Sequence, residues 1–162
     1  TGERWFLGNT YHMAIGQGDL EITPLQGNLM TAAVVVDKWC VPSLIKDFRN
    51  SCVSLGIKRE NREMIVEGMR GACSEGGTGF TFFDFLVPVA CKTGTAQHGG
   101  KEDEPHAWIT AIVPNSQYPE ASLEGYENGV VITVLLEAGG EGSKEAGPVA
   151  MEIAKYVVEQ GI

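Results

Sequence analysis

The sequence predicts an α+β fold, an antiparallel sheet flanked by helices, on three observations. Three apolar, β-branched runs over 85–91, 106–113 and 129–137 read as strands. Short connections between successive strands imply an antiparallel meander. Apolar residues recur at helical spacing over 23–39, 61–74 and 146–158, with capping signals at the ends.

The chain opens on apolar Trp5, Phe6 and Leu7 with no cap signal, as a chain that starts inside a domain would. Gly8-Asn9-Thr10 reads as a turn, and Ile15-Gly16-Gln17-Gly18 as a loop whose glycines suit a bend where backbone approaches backbone. Thr23 is the N-cap of the first helix, with Pro24 at its first position and Gln26 completing a capping box. Leu25, Leu29, Ala32, Ala33 and Val36 form its core stripe, and the helix is expected to run to about Trp39, before Pro42. Residues 47–60 are expected to hold a strand and a turn.

A second helix is expected from an Asn61 N-cap to Ser74, with Ile65, Met69, Ala72 and Cys73 on one side and Gly76-Gly77 ending it. Met64 and Met69 read as core filling. Residues 98–105 form a polar turn in which His98 is a solvated loop-tip side chain. Val130 to Leu136 is nearly all apolar and should be buried on both faces. Residues 115–128 read as a hairpin loop. The last helix carries Ala146, Val149, Ala150, Ile153, Ala154, Val157 and Val158, with Pro148 in its first turns, and should lie across the sheet.

Composition narrows the function classes. With 162 residues and 43% apolar content, the chain can bury one core. Its 12 basic and 21 acidic residues give a net charge of −9, which argues against nucleic acid and anionic membrane surfaces as partners. The nearest approach to a basic cluster, Lys58-Arg59 and Arg62, reads as a solvated helix start. No stretch nears the roughly 20 apolar residues of a membrane span, and no signal-peptide pattern opens the chain. Cys40, Cys52, Cys73 and Cys91 show no C-x-x-C pair and no histidine at metal-ligand spacing, so neither a metal nor another cofactor is expected. They read as buried apolar residues, with one bridge left open for an exported protein.

The chemistry concentrates in Lys92-Thr93-Gly94-Thr95-Ala96-Gln97, placed at the far end of the strand that begins at Phe85. Lysine supplies a point charge and three donors. Period-two alternation sets Thr93 and Thr95 on one face, and Gly94 lets another backbone approach. Such an edge suits an extended peptide ending in a carboxylate, added as a strand. Ser43-Leu44-Ile45-Lys46 has the Ser-x-x-Lys spacing of a lysine-activated nucleophile. It follows Pro42 and the Ile-Gly-Gln-Gly segment, and reads as a decoy.

The Lys-Thr-Gly motif, together with Ile15-Gly16-Gln17-Gly18, Thr23-Pro24-Leu25-Gln26, His106-Ala107-Trp108 and Leu136-Glu137-Ala138-Gly139-Gly140, resembles the C-terminal half of the transpeptidase domain of class B penicillin-binding proteins, elongation type. The resemblance implies a partial serine-transpeptidase and β-lactamase-like domain across residues 1–162, without the nucleophile-bearing half. It also implies a peptidoglycan D,D-transpeptidase acting through a serine acyl-enzyme. Stem peptide and β-lactams would be its ligands, and membrane proteins of cell-wall synthesis its partners. The implied location is the extracytoplasmic face of the membrane, with the anchor upstream.

By matching position, Lys92 would direct positive potential at the peptide carboxylate and at a relay serine. Thr93, Gly94 and Thr95 would line the peptide site, and the Thr95 N–H would be one oxyanion donor. The family's Ser-x-Asn is absent from these residues. Cys91 replaces the glycine that relatives commonly carry before the lysine, which adds bulk behind the strand. A non-catalytic scaffold or β-lactam sensor in a cell-wall complex is the alternative reading.

Overall fold

The computed structural model describes residues 4–18, 20–45, 51–100, 102–118 and 122–161. Among them, three antiparallel strands form the main sheet in the order β3 (Ala90–Ala96), β4 (His106–Val113), β5 (Val130–Leu136). Lys92 stands opposite Thr110, Gly94 opposite Trp108, and Trp108 opposite Leu135. The meander expected from the three apolar runs is present. Its first strand begins later than expected, because Phe82 and Phe85 stack edge to face at 5.5 Å in a 3-10 turn at Phe80–Phe82 and the bend after it. The aromatic residues that look like strand therefore pack a turn, and the Lys-Thr-Gly motif is the body of β3 rather than its tail.

Period-two alternation splits the core. Ala107, Ile109, Ala111 and Val113 of β4, with Ile132 and Val134 of β5, face helix α5 (Gly147–Gln160), where Ala150, Ala154 and Val157 meet them. The small alanines let the helix lie close against the sheet. The opposite face packs Ala90 and Ile112 against Val35, Val66, Leu123 and Tyr126. Both faces of β5 are covered, although only Ile132 and Val134 are fully buried there.

Helix α2 (Pro24–Val36) is capped as its sequence requires: Gln26 N–H donates to Thr23 Oγ1 at 3.2 Å and Thr23 N–H to Gln26 Oε1 at 2.8 Å. It ends three residues early, at Asp37, which adopts a left-handed φ of 56°. The Asp37 carboxylate accepts Ile57 N–H at 2.7 Å and Ser54 Oγ at 2.9 Å, and these bonds hold its pKa below the usual value. The buried stripe is Gly27, Thr31, Ala33 and Val35, while Leu25 is half exposed. The helix is seated by hydrogen bonds as well as by apolar contact: Thr110 Oγ1 donates to Thr31 at 3.2 Å, and Asn28 Nδ2 to Val131 O at 2.9 Å.

A two-stranded ribbon, β1 (Lys38–Cys40) and β2 (Cys52–Ser54), follows, closed by a Cys40–Cys52 disulfide between directly opposed residues. Ser43 sits in a local turn, with Ile45 N–H donating to its Oγ at 3.0 Å, and in no helix; Lys46 and the start of the expected 47–60 strand lie outside the described residues. Helix α1 occupies Leu7–Ala14, where a turn is expected at Gly8-Asn9-Thr10, because Asn9 caps the helix start by accepting Phe6 N–H at 3.3 Å.

Helix α3 (Arg59–Ala72) starts two residues before the expected Asn61 cap. Arg59 pairs with Glu63 at 2.7 Å and with Glu124 at 2.6 Å, and Arg62 pairs with Glu127 while donating to Val35 O at 2.7 Å. These arginines set the roll of the helix, turning Val66 inward and leaving Met64 and Ile65 exposed. Met69 is the core filler of the two methionines. Part of the expected 115–128 loop is helix α4 (Leu123–Glu127), capped by Ser122 and buried through Leu123 and Tyr126.

Tyr126 is 2% exposed and its hydroxyl donates to Pro88 O, just before β3. Burial pushes its pKa from 10.0 up to about 12. The folded protein thus keeps a phenol proton that the unfolded chain releases near pH 10, so the contribution is complete below about pH 10 and lost as pH rises toward 12. We expect denaturant midpoints between about pH 9 and about pH 11.5 to fall further in the wild type than in Tyr126→Phe, a difference of about 2 kcal/mol. Parallel slopes would show that the phenol carries no linkage.

Candidate active site

Among the described residues strand β3 is an edge: β4 is its one strand neighbour in the sheet. Gln17 bonds to Thr95 O and Gln97 N, so these groups point away from β4, and the antiparallel alternation turns those of Thr93 the same way. The motif residues therefore present backbone donors and acceptors along an open edge. Lys92 is exposed, and its Nζ donates to Thr93 O at 2.5 Å. Thr93 Oγ1 donates to Thr78 Oγ1 at 3.0 Å, and Thr95 Oγ1 accepts Gly142 N–H at 3.5 Å. The threonines share a face, as their spacing requires, and the lysine stands on the other.

The edge is supported from behind. Cys91, fully buried and next to Lys92, is bonded to Cys73 at the end of α3. This corrects the expectation of free, buried cysteines: two bridges are present, and the residue that adds bulk behind the strand is a covalent tether. Gly79 passes over this bridge where a Cβ would stand 2.5 Å from Cys91 Sγ and 3.0 Å from Cys73 Sγ. Gly142, at the start of a single π-helical turn (Gly142–Ala146), lies on the Gly94–Trp108 pair, with room for no side chain. Gly94 serves the same need, since a Cβ there would press on Trp108 Cβ at 3.2 Å.

The N-terminal loop closes one end of the edge. Gly16 and Gly18, at φ of 73° and 77°, bend the chain so that Gln17 Nε2 donates to Thr95 O at 3.1 Å and Gln17 Oε1 accepts Gln97 N–H at 3.3 Å. At the same end His98 stacks on His106 with centroids 3.9 Å apart, and His106 Nδ1 accepts Ala138 N–H at 2.9 Å. His98 is exposed, as a loop tip is expected to be, and its ring also stacks on a neighbour. Lys92, Thr93, Gly94 and Thr95 all come together as the sequence indicates. The contacts of Gln17, Thr78 and Gly142 are new, although the Ile15-Gly16-Gln17-Gly18 segment carries part of the resemblance, which implies a place beside the site.

Residues 1–158 match the penicillin binding protein transpeptidase domain family. The chain belongs to that family. Peptidoglycan D,D-transpeptidase MrdA of Haemophilus influenzae is 31% identical, over 96% of this chain and 27% of its own length. Peptidoglycan D,D-transpeptidase PbpA of Mycolicibacterium smegmatis is 27% identical over 90% of this chain and 30% of its own length. Among solved structures, the penicillin-binding protein PBP2 of Helicobacter pylori superposes with a TM-score of 0.78 at 28% identity, covering 98% of this chain and 28% of that one. Its complex with MreC gives 0.79 at 29% identity, with 98% and 29% covered. The chain thus spans less than a third of the length of the curated relatives it matches.

The support behind this edge can be tested by two replacements. Replacing Cys73 and Cys91 together by serine should lower stability by about 3 kcal/mol, read from denaturant midpoints under oxidising conditions. An unchanged midpoint would show that the tether is dispensable. Gly142→Ala forces a methyl to within 2.3 Å of Gly94 O and Trp108 O, and should cost about 1 to 3 kcal/mol in the same assay.

Proposed function

We propose that this chain is the Lys-Thr-Gly wall of the site of an elongation-type peptidoglycan D,D-transpeptidase, and that it forms the C-terminal portion of the catalytic domain. The observation that carries the reading is the braced, open edge Lys92–Thr95, in a family member similar along almost its whole length to proteins named for that activity. The nucleophile and the proton relay belong to the part of the domain that these residues do not supply. Acylation forms a bond from a serine Oγ to a stem-peptide carbonyl carbon and breaks the bond to the terminal residue, which leaves with a proton. An acceptor amine then takes the acyl group and frees the serine.

Each wall residue has a part in this. Lys92 sets positive potential beside the site, lowering the cost of the peptide carboxylate and of a deprotonated relay serine. Thr93 and Thr95 donate hydroxyl bonds to that carboxylate or to its equivalent in a β-lactam, and Gly94 lets the peptide backbone approach. The Thr95 N–H, on the open edge, takes one side of the developing oxyanion. Its partner donor is the N–H of the serine.

The protein acts on the extracytoplasmic side of the membrane, held by an anchor outside these residues, beside membrane partners in cell-wall synthesis. A partner of that kind is supported by the relative solved with MreC.

Fluorescent-penicillin labelling of the full-length protein tests the reading. Lys92→Ala should lower the labelling rate by a factor of about 100 to 1000, and Thr95→Phe should do the same by filling the peptide edge. Labelling of Lys92→Ala at the wild-type rate would overturn the assignment.

A further inference from the structure

We infer that Gln17 is a positioning residue for the proposed site: its side-chain amide takes the place of a neighbouring strand at the far end of the β3 edge and fixes the line of Thr95. This rests on the transpeptidase reading of Lys92–Thr95. The bonding pattern carries it. Gln17 donates to the C=O of Thr95 and accepts from the N–H of Gln97, groups two residues apart on the outer side of one strand. A backbone C=O can only accept and a backbone N–H can only donate, so the carboxamide has one orientation here. It supplies the donor and acceptor that a paired strand would supply, at the point where β3 runs out of partner.

The side chain is itself held. Gln17 N–H and Ile15 N–H both donate to His12 O, at 2.9 Å and 3.2 Å, and Gly16 N–H donates to Met13 O at 3.0 Å, so the loop is folded back onto the end of α1. Gly18 packs against His12, where a Cβ would lie 3.1 Å from His12 Cβ. Helix α1 buries none of its own residues. The glutamine is therefore an arm from a loop folded onto its own helix end to the edge, rather than a by-product of a packed helix.

The consequence for chemistry lies in the peptide planes. Gln17 clamps the plane that carries Thr95 O and the plane that carries Gln97 N, the two that flank Ala96. Thr95 is thereby held from its C-terminal side, while Cys91 and Gly142 hold the strand from behind. A hole donor must be aimed before the oxyanion forms, and small misplacements are costly. A brace of this kind acts on the rate of acylation rather than on the affinity of the first complex.

Time courses of fluorescent-penicillin acylation over a range of concentrations, on the full-length protein, give a limiting rate and a half-saturation concentration. Gln17→Ala and the isosteric Gln17→Glu, whose carboxylate cannot donate to Thr95 O, should each lower the limiting rate about tenfold, with half-saturation changed less than twofold. Amide exchange gives a second readout: the Gln97 N–H should exchange at least about tenfold faster in Gln17→Ala, while Gly94, bonded toward β4, stays protected. Wild-type limiting rates in both variants, or an effect on half-saturation alone, would overturn the positioning role while the loss in Lys92→Ala leaves the transpeptidase reading standing. If Lys92→Ala labels normally, that reading fails, and unchanged Gln97 exchange overturns the brace as well. Loss of folding in both variants also overturns it, because Gln17 would then be a determinant of the fold.

Discussion

Strand β3 must be open along one side and still hold its line, and much of the described structure answers that constraint. An interior strand is straightened by a neighbour on each side; among the described residues β3 has β4 on one side only. What substitutes for the second neighbour is distributed. The Cys73–Cys91 bridge ties the strand's buried side to the end of α3, and the Tyr126 hydroxyl fixes Pro88 at its entrance. Gly142 lies on its middle and the Gln17 amide closes its end. All four leave the N–H groups of Thr93 and Thr95 facing outward, while Thr93 O accepts from Lys92 Nζ; outward N–H groups on a strand edge suit an added strand.

The same constraint explains where glycine falls. Gly79, Gly94 and Gly142 have ordinary backbone angles but no space, since each would drive a Cβ into sulfur, an indole side chain or a backbone oxygen. Gly16 and Gly18 have the converse reason, a left-handed φ that turns the Gln17 loop. The five differ in sequence context yet converge on one strand. A Lys-Thr-Gly string is weak as a tripeptide because it specifies none of these neighbours.

How much was legible depends on whether the signal was local. The capping box at Thr23, the apolar runs of β4 and β5 and the alanines of α5 are written in residues a few positions apart and fold as read, but Val149 and Ile153, expected on the sheet-facing side of α5, are exposed. The bridges were not legible, because spacings of 12 and 18 between cysteines do not say which side chains the fold brings face to face. Phe85 to Val89 looked like strand for its aromatic and branched content, which served equally well to pack a turn. Met64 reads as core by residue type, whereas the roll of α3 is set by Arg59 and Arg62 reaching acidic partners 65 residues away. At the site, Lys92 to Thr95 were legible as a set. Gln17 is legible as part of the Ile-Gly-Gln-Gly segment but its bonds are not, since its partners lie 78 and 80 residues on.

The open edge and the apolar N-terminal surface are best understood together. Trp5, Phe6, Leu7, Tyr11 and Ile15 are all largely exposed, on the segment from which Gln17 reaches Thr95. An exposed apolar patch of this kind marks a surface that something covers. On the proposed reading, the nucleophile-bearing part of the domain lies there, and Gln17 is then more than an end-stop. It hydrogen-bonds the wall that carries Thr95 to the segment against which the nucleophile's own half packs. On that reading the two N–H groups of the oxyanion hole would come from opposite sides of that junction, and its rigidity would set their separation. A single amide with one admissible orientation, on a loop folded back by three backbone bonds, is a short and stiff connection to make there.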